Sequence, residues 1–474
     1  MDDVAARFLL AIALVVAALS ASGPTARTRP APPGDRLSVR DLGAKGDGRT
    51  DDTRAFQRAL NLCRRRGGGI VRVPSGRYLI AQRLVVPDNV TLEGNWRAPA
   101  TFDWKAPRLE GSVLLAVADA GKPDGPPFLT LNSNSTVKGL TVFYPNQKKT
   151  NPPVAYPWMI ATAKKWSINA AIVDVLLLNS YQAVDFGSNL SARHYIRNLN
   201  AQAIYRGIYV DQCGDVARLE NVHLWPFWSL SLDDEVAKFT FEHGQGFIFG
   251  RTDWELVTNC FAIGYGVGFR FTQHAPKDVS RSAQSPNYAN PSTGNVMVTG
   301  GGPDLCNTAV LVEGSQAHAG VSFANCQIYG DLIVRPTNAG MVRFTGCGFF
   351  GSKAGRNGVG LARLDAGRSR VSFSNCHFYA LQDHRDKPLI DMPSGRLGMA
   401  NCFFLNSERT HHEGPAGWVP REHLALGPGV ISAVVQGCEF TAPARIANAS
   451  KGQVVLSDNV ENTDAAPPMP DRER

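Results

Sequence analysis

Apolar and polar residues alternate with a period of two over short runs, and the same run returns along most of the chain. Its fullest form is apolar–x–apolar–x–(Asn/Gly)–Cys–x–(Phe/Ile). It is seen in Val321-Ser-Phe-Ala-Asn325-Cys326-Gln-Ile328, Val342-Arg-Phe-Thr-Gly346-Cys347-Gly-Phe349 and Val371-Ser-Phe-Ser-Asn375-Cys376-His-Phe378. Leu397-Gly-Met-Ala-Asn401-Cys402-Phe-Phe404 and Val434-Val-Gln-Gly437-Cys438-Glu-Phe440 continue it. Earlier copies keep the rhythm more loosely: Val137-Lys-Gly139-Leu140, Ile172-Val-Asp174-Val175, Ile196-Arg-Asn198-Leu199, Leu219-Glu-Asn221-Val222 and Leu256-Val-Thr-Asn259-Cys260. Successive Asn/Gly/Asp positions lie 35, 24, 23, 38, 66, 21, 29, 26 and 36 residues apart. The base period is 21–26; longer gaps are coils with insertions, and the gap of 66 is two coils plus a long loop. Each unit is a period-two strand closed by a turn, too short to bury its own apolar side. Stacking such units buries a continuous interior, so the pattern predicts a β-solenoid.

The cysteines then form a column of stacked, buried thiols. A metal or redox role is the alternative, but no CxxC occurs and the thiols sit one per coil, unlike clustered zinc ligands. The Asn column satisfies backbone groups at each turn. Ahead of the first coil, Thr50-Asp51-Asp52 precedes Ala55, Phe56, Ala59, Leu60 and Cys63 at helical spacing, with Arg64–Arg66 and Gly67 at the end. This predicts a capped helix that covers the open end of the solenoid.

Residues 8–19, FLLAIALVVAAL, are apolar but shorter than the roughly 20 that span a bilayer. Ser20-Ala21-Ser22 and the Pro-rich stretch Pro24–Pro33 follow. The expected organisation is a signal peptide over 1–22, a disordered leader over 23–36, the solenoid over 37–462 and a disordered tail over 463–474. Asp2 and Asp3 make the leading segment unusually acidic, so retention as an anchor is the alternative to cleavage. The expected location is secreted or periplasmic, with no stable membrane insertion once the segment is removed.

Composition narrows this further. Charged residues are 19% of the 474, below the roughly 25% of an average globular protein, which excludes wholesale disorder and coiled coil. The net charge of +8 permits an acidic polymer as partner and gives no pointer to nucleic acid. Nine cysteines is an odd number, so at least one stays unpaired within the chain.

The segment Val39-Arg-Asp-Leu-Gly43-Ala-Lys-Gly46-Asp47-Gly48-Arg-Thr50-Asp51-Asp52-Thr53-Arg-Ala55-Phe56-Gln57, followed by Gly67-Gly68-Gly69 and Val73-Pro74-Ser75-Gly76-Arg77-Tyr78, resembles the opening motif of the pectate-lyase-like superfamily. Within it, the resemblance is to the rhamnogalacturonase/epimerase-like pectate lyase 3 domain related to glycoside hydrolase family 28. It implies an all-β fold, a single-stranded right-handed parallel β-helix with an N-terminal capping α-helix. It does not imply one reaction, because the superfamily includes hydrolases, lyases, epimerases and phage tailspikes. Family 28 carries Asn-x-Asp, Asp-Asp, His-Gly and Arg-x-Lys on successive coils. Here Asp211 lies 22 residues before Asp233-Asp234, but His243-Gly244 follows only nine residues after Asp234, and no Arg-x-Lys comes next. Ser231 through His243-Gly244 reads instead as a short helix in which Ser231 and Asp234 form a capping box.

Register offers another carboxylate pair. Asp215 stands six residues before Asn221, and Asp253 six before Asn259. With the insertion at 227–246 bulging outward, the two fall on adjacent coils about 4.8 Å apart. Such a pair suits glycoside hydrolysis, with one group as acid and the other, or Asp211, as base or nucleophile. The plain structural reading is that both cap turns. Arg251, Trp254, Glu255, His223, Trp225 and Trp228 are the neighbouring candidates for substrate binding, although Trp225–Trp228 can equally form a buried corner. Glu408, His411, His412 and Glu413 read as a solvated loop, and no metal ligands are assigned. Lys148-Lys149 and Lys164-Lys165 flank a Pro-rich insertion that can overhang a groove.

The expected function is an exported polysaccharide-degrading glycosidase that needs no cofactor. One alternative is a lyase or epimerase acting on uronic-acid polymers, with Arg251, Arg270 or Lys277 as base and Ca²⁺ as a possible cofactor. The other is a non-catalytic carbohydrate-binding or structural solenoid.

Overall fold

The computed structural model describes residues 36–96, 109–229, 231, 233–272, 294–351, 357–380, 386–406, 421–441 and 443–461. The expected signal peptide, most of the leader, the tail, Lys277 and the Glu408–Glu413 cluster lie outside these residues.

The strands wind into a coil with three faces, every pairing parallel. On the first face Ile172 lies beside Ile196, then Leu219, Val257, Val298 and Phe323, in unbroken register. All six point inward and are at most 1% exposed. The second face carries Thr141–Phe143 against Leu176–Leu178, and the third carries Trp158–Thr162 against Gln182–Phe186 and then Arg206–Val210. Neighbouring strands in such a sheet lie about 4.8 Å apart, which sets the rise of the coil.

The turn between the first two faces explains the Asn/Gly/Asp column. Asp174, Asn198, Asn221, Asn259, Asn325, Asn375 and Asn401 have φ between 51° and 54°, and Gly139, Gly346 and Gly437 between 62° and 67°. The chain bends there through the left-handed region, which costs most side chains about 1–2 kcal/mol and is readily visited by Gly, Asn and Asp. Gly300, at φ 68°, supplies the coil that the sequence pattern skipped within the gap of 66. The side chains also stack: Asn221 Nδ2 donates to Asn198 Oδ1 (3.1 Å), and Asn198 Nδ2 to Asp174 Oδ1 (2.9 Å).

Just past the turn the earlier coils point Leu140, Val175, Leu199 and Val222 inward, and the later coils point a cysteine inward. All nine cysteines are buried, and none is in a disulfide. Column thiols donate to carbonyls of the preceding coil, Cys347 to Phe323 O and Cys402 to Phe373 O (both 3.6 Å). Beside them Phe323, Phe344 and Phe373 stack at 5.2 Å intervals, and Phe349, Phe378, Phe404 and Phe440 at 4.5–5.1 Å.

Helix α1 (Thr53–Arg65) buries Phe56, Ala59, Leu60 and Cys63 over the first coils, as the sequence predicts. Its N-terminus differs in detail. The Asp52 carboxylate takes the backbone N–H groups of Lys45 (2.7 Å) and Gly46 (3.0 Å), tying the preceding loop rather than capping the helix. Helix α2 (Glu235–His243) is shorter than expected, and the Ser231–Asp234 capping box does not form. Ser231 Oγ accepts instead from Asp233 N–H (3.1 Å), and Asp234 stands as the N-cap. Val236 and Phe239 of α2 pack on Ile204, Tyr181 and Tyr205, so the insertion sits on the corner between the second and third faces. The coil therefore stacks across it, with Ala217 beside Glu255. No helix among the described residues is long and apolar enough to cross a membrane.

Candidate functional site

The third face and its flanking loops enclose a cleft of about 460 Å³. Its floor is Trp158, Gln182, Asp185, Arg206 and Tyr209; Asp124 and the Pro123–Pro127 loop form one lip, and Lys164, Ser188 and Asn189 contribute from the corner. Asp185 and Tyr209 alternate outward between the inward Val184 and Phe186, and Ile208 and Val210, whereas Gln182 and Arg206, three residues earlier at the start of the face, line the cleft out of step with that alternation. Gln182 holds the lip in place, donating to Pro123 O (3.0 Å) and Tyr156 O (3.1 Å), and its carbonyl oxygen receives Arg206 Nη1 (3.2 Å).

Trp158 and Tyr209 lie nearly parallel, 6.2 Å apart and tilted by 20°. Gly187 permits this: a Cβ there would meet the Tyr209 ring at 2.5 Å. Asp185 is 3% exposed, and burial raises its pKa above the usual carboxylate range. Ser188, Gly187 and the charge of Arg206 oppose that rise, since Asp185 Oδ1 accepts from Gly187 N (2.9 Å) and Ser188 N (2.7 Å). Burial, and then the nearby Asp211 charge, push the Tyr209 hydroxyl well above its usual range, so it remains a proton donor. The exposed Asp124 lines the same cleft.

Several residues singled out from sequence are placed differently. Asp211 is fully buried and cannot serve as base or nucleophile. Its two oxygens take Arg251 Nε (2.9 Å), Arg251 Nη2 (2.8 Å), the Arg251 backbone N–H (2.6 Å) and the Tyr209 hydroxyl (3.2 Å). The Arg251 fork is thus turned onto Asp211 rather than toward a substrate. Gly250 makes room, because a Cβ there would meet Asp211 Oδ1 at 2.6 Å. Glu255 also cannot bind substrate, since it points into the coil at 0% exposure and meets His194 Nε2 at 3.0 Å. Burial lowers the pKa of His194, but the Glu255 charge and the Cys213 thiol outweigh this and bring it to about 10.

His223, Trp225 and Phe261 form an edge-to-face aromatic corner, with Phe227 buried against Leu176 and Leu178. Burial lowers the His223 pKa. Trp228 carries Lys149 over its ring at 5.0 Å. The Trp225–Trp228 segment is therefore a packed corner. Arg270 is occupied by Glu313 (2.8 and 3.3 Å) and Gln245 (3.1 Å).

Asp215 and Asp253 do lie on adjacent coils, next to the paired Ala217 and Glu255. Asp215 Oδ1 caps its own turn through Val216 N–H (2.7 Å) and stands 3.7 Å from Arg193. Asp253 is exposed, as is Trp254 at 48%. The sequence reading missed Asp185 and Tyr209. A signal existed: each follows its ladder residue, Asp174 or Asn198, by the same eleven positions, and they are register partners.

Residues 37–172 match the family described as rhamnogalacturonase A/epimerase, pectate lyase-like. Among curated proteins, the chain is 42% identical over 64 residues to alginate lyase 7 of Azotobacter vinelandii, covering 12% of this chain and 8% of that one. It is 30% identical over 144 residues to an exopolygalacturonase of Zea mays, covering 28% and 35%. The chain thus spans well under half the length of these relatives. The structure of bacteriophage phi29 gene product 12 shares the fold, with a TM-score of 0.58 at 14% identity, over 91% of this chain and 54% of that one. The opening motif, the family match over residues 37–172 and the three-faced parallel coil agree in supporting a place for the chain in the pectate-lyase-like superfamily.

Proposed function

We propose that the protein is an exported polysaccharide-acting enzyme, a glycoside hydrolase, and that its substrate lies in the Trp158–Tyr209 cleft. The observation that carries this reading is the pairing of two carboxyl groups in unlike environments in one cleft, Asp185 buried and Asp124 exposed. A buried carboxyl whose pKa is raised can give a proton to the leaving oxygen, and an exposed carboxylate can activate water or attack the sugar. The Trp158 face supplies a platform for a pyranose ring. Lys164 and Arg206 favour an anionic sugar, which accords with relatives named for alginate and polygalacturonan. Asp215, Asp253 and Trp254 extend the surface at the neighbouring corner.

A second reading, a lyase or epimerase on uronic-acid polymers, is favoured by the same two cations, which would neutralise a uronate. In that reading Ca²⁺ remains a possible cofactor. Purified protein is incubated with alginate, polygalacturonate and neutral glucans, following reducing ends and the ultraviolet absorbance of an unsaturated product together. Reducing ends without absorbance are expected; both rising together would indicate a lyase. Asp185→Asn should lower kcat at least a hundredfold with the melting temperature nearly unchanged. If Asp185→Asn is fully active while Asp253→Asn is not, the site lies at the corner and the cleft reading fails.

A further inference from the structure

We infer that the interior of the coil holds a divalent transition-metal site built by His194, Cys213 and Glu255. One donor atom from each lies within 4.8 Å of the other two. His194 Nε2 stands 3.0 Å from Glu255 Oε1, and its other ring nitrogen, Nδ1, stands 3.8 Å from Cys213 Sγ; the imidazole thus lies between the two, and the partner facing the nitrogen that does not ligate would shift to reach the ion. All three side chains are at most 1% exposed.

The three come from successive coils. Tyr195 pairs with Arg218 and Ala217 with Glu255, so His194 and Glu255 flank Ala217 above and below. The methyl group of Ala217 is small enough for them to meet across it. Cys213 enters on the middle coil, bridged to Ser191 on one side and Thr252 on the other. Neighbouring inward positions, Ala170 before and Val296 after, are apolar.

A polar trio in this setting has no packing rationale, because well-packed apolar residues serve a solenoid interior at least as well. Moreover, Glu255 Oε2 is buried without a hydrogen-bond partner. An unpaired buried carboxylate oxygen is costly, and a cation is the partner that removes the cost. The donor set is one thiolate, one imidazole and one carboxylate, a combination suited to Zn²⁺ and its neighbours rather than to Ca²⁺ or Mg²⁺. Its charge of minus two balances a divalent ion. Binding releases the thiol proton of Cys213 and any proton on the ligating nitrogen of His194, with no change of oxidation state. The column thiols Cys347 and Cys402 lack such company, since the partners found for them are carbonyl oxygens and neighbouring thiols.

The test uses the full reduced chain, dialysed against a chelator and titrated with Co²⁺ as a coloured probe. One Co²⁺ per chain, a thiolate-to-cobalt charge-transfer band and a higher melting temperature are expected. Cys213→Ser should abolish the band, Cys347→Ser should leave it unchanged, and Glu255→Gln should weaken Co²⁺ binding at least tenfold. No band in the unaltered chain, or a band lost with Cys347→Ser and kept with Cys213→Ser, overturns the site. Should Cys213→Ser fail to fold, Glu255→Gln decides alone: unchanged Co²⁺ affinity overturns the proposal.

Discussion

His423 has no solvent exposure and is wedged edge-on between Phe404 (5.7 Å) and Phe440 (5.1 Å), with Nδ1 accepting the Arg445 N–H at 3.0 Å. Burial and then the Arg445 charge lower its pKa from 6.5 to about 4. The unfolded chain therefore binds a proton that the folded chain refuses. The resulting stability is fully present above pH 6.5 and is lost as pH falls from 6.5 toward 4, by up to about 3 kcal/mol. Urea midpoints measured from pH 7 to pH 4 should fall more steeply for the natural chain than for His423→Gln; equal slopes would contradict this. The same reasoning separates two aspartates that look alike in sequence. Asp211 is neutralised by a bidentate Arg251 and is structural, whereas Asp185 has no such ion pair and burial raises its pKa. The difference is not written in local sequence, because the Arg251 that pairs with Asp211 comes from another coil, whereas the N–H groups that meet Asp185 are those of Gly187 and Ser188 just after it.

Each coil adds a strand whose apolar residues meet their like on the coils above and below. The Phe323, Phe344 and Phe373 stack is one such case, and Phe344 is 1% exposed. Phe344→Ala should cost about 3–5 kcal/mol, a transfer loss plus a cavity that rigid flanking coils cannot close. Val455→Ala, on the last coil and 38% exposed, should cost under about 1 kcal/mol. Chemical denaturation of the two variants checks the contrast, and similar losses would contradict it. The Asn/Gly column, the cysteine column and helix α1 were legible because each depends on residues close in sequence. The helix N-termini were less so: the Asp52 carboxylate had a loop to tie, and Ser231 found Asp233 first.

At the scale of the whole molecule the coil has two unlike ends. Helix α1 covers the first, while at the other Leu456 (49%) and Val460 (58%) remain exposed among the described residues. Deleting residues 37–68 would open the strand edges and apolar floor beneath α1, so that variant should self-associate in sedimentation, whereas the intact chain should not at equal concentration. A monomeric deletion variant would show that α1 is not a lid. The sequence by itself determined the parallel coil, the inward and outward sides of its strands, and the left-handed turns. Strand alternation and turn conformation are local, and their repetition leaves one way to stack. Tertiary structure alone decided which carboxylates share a cleft and which face the core. Those meetings depend on where the insertions at 144–157 and 225–244 leave the coil, and on which side chains successive coils bring within a few ångströms.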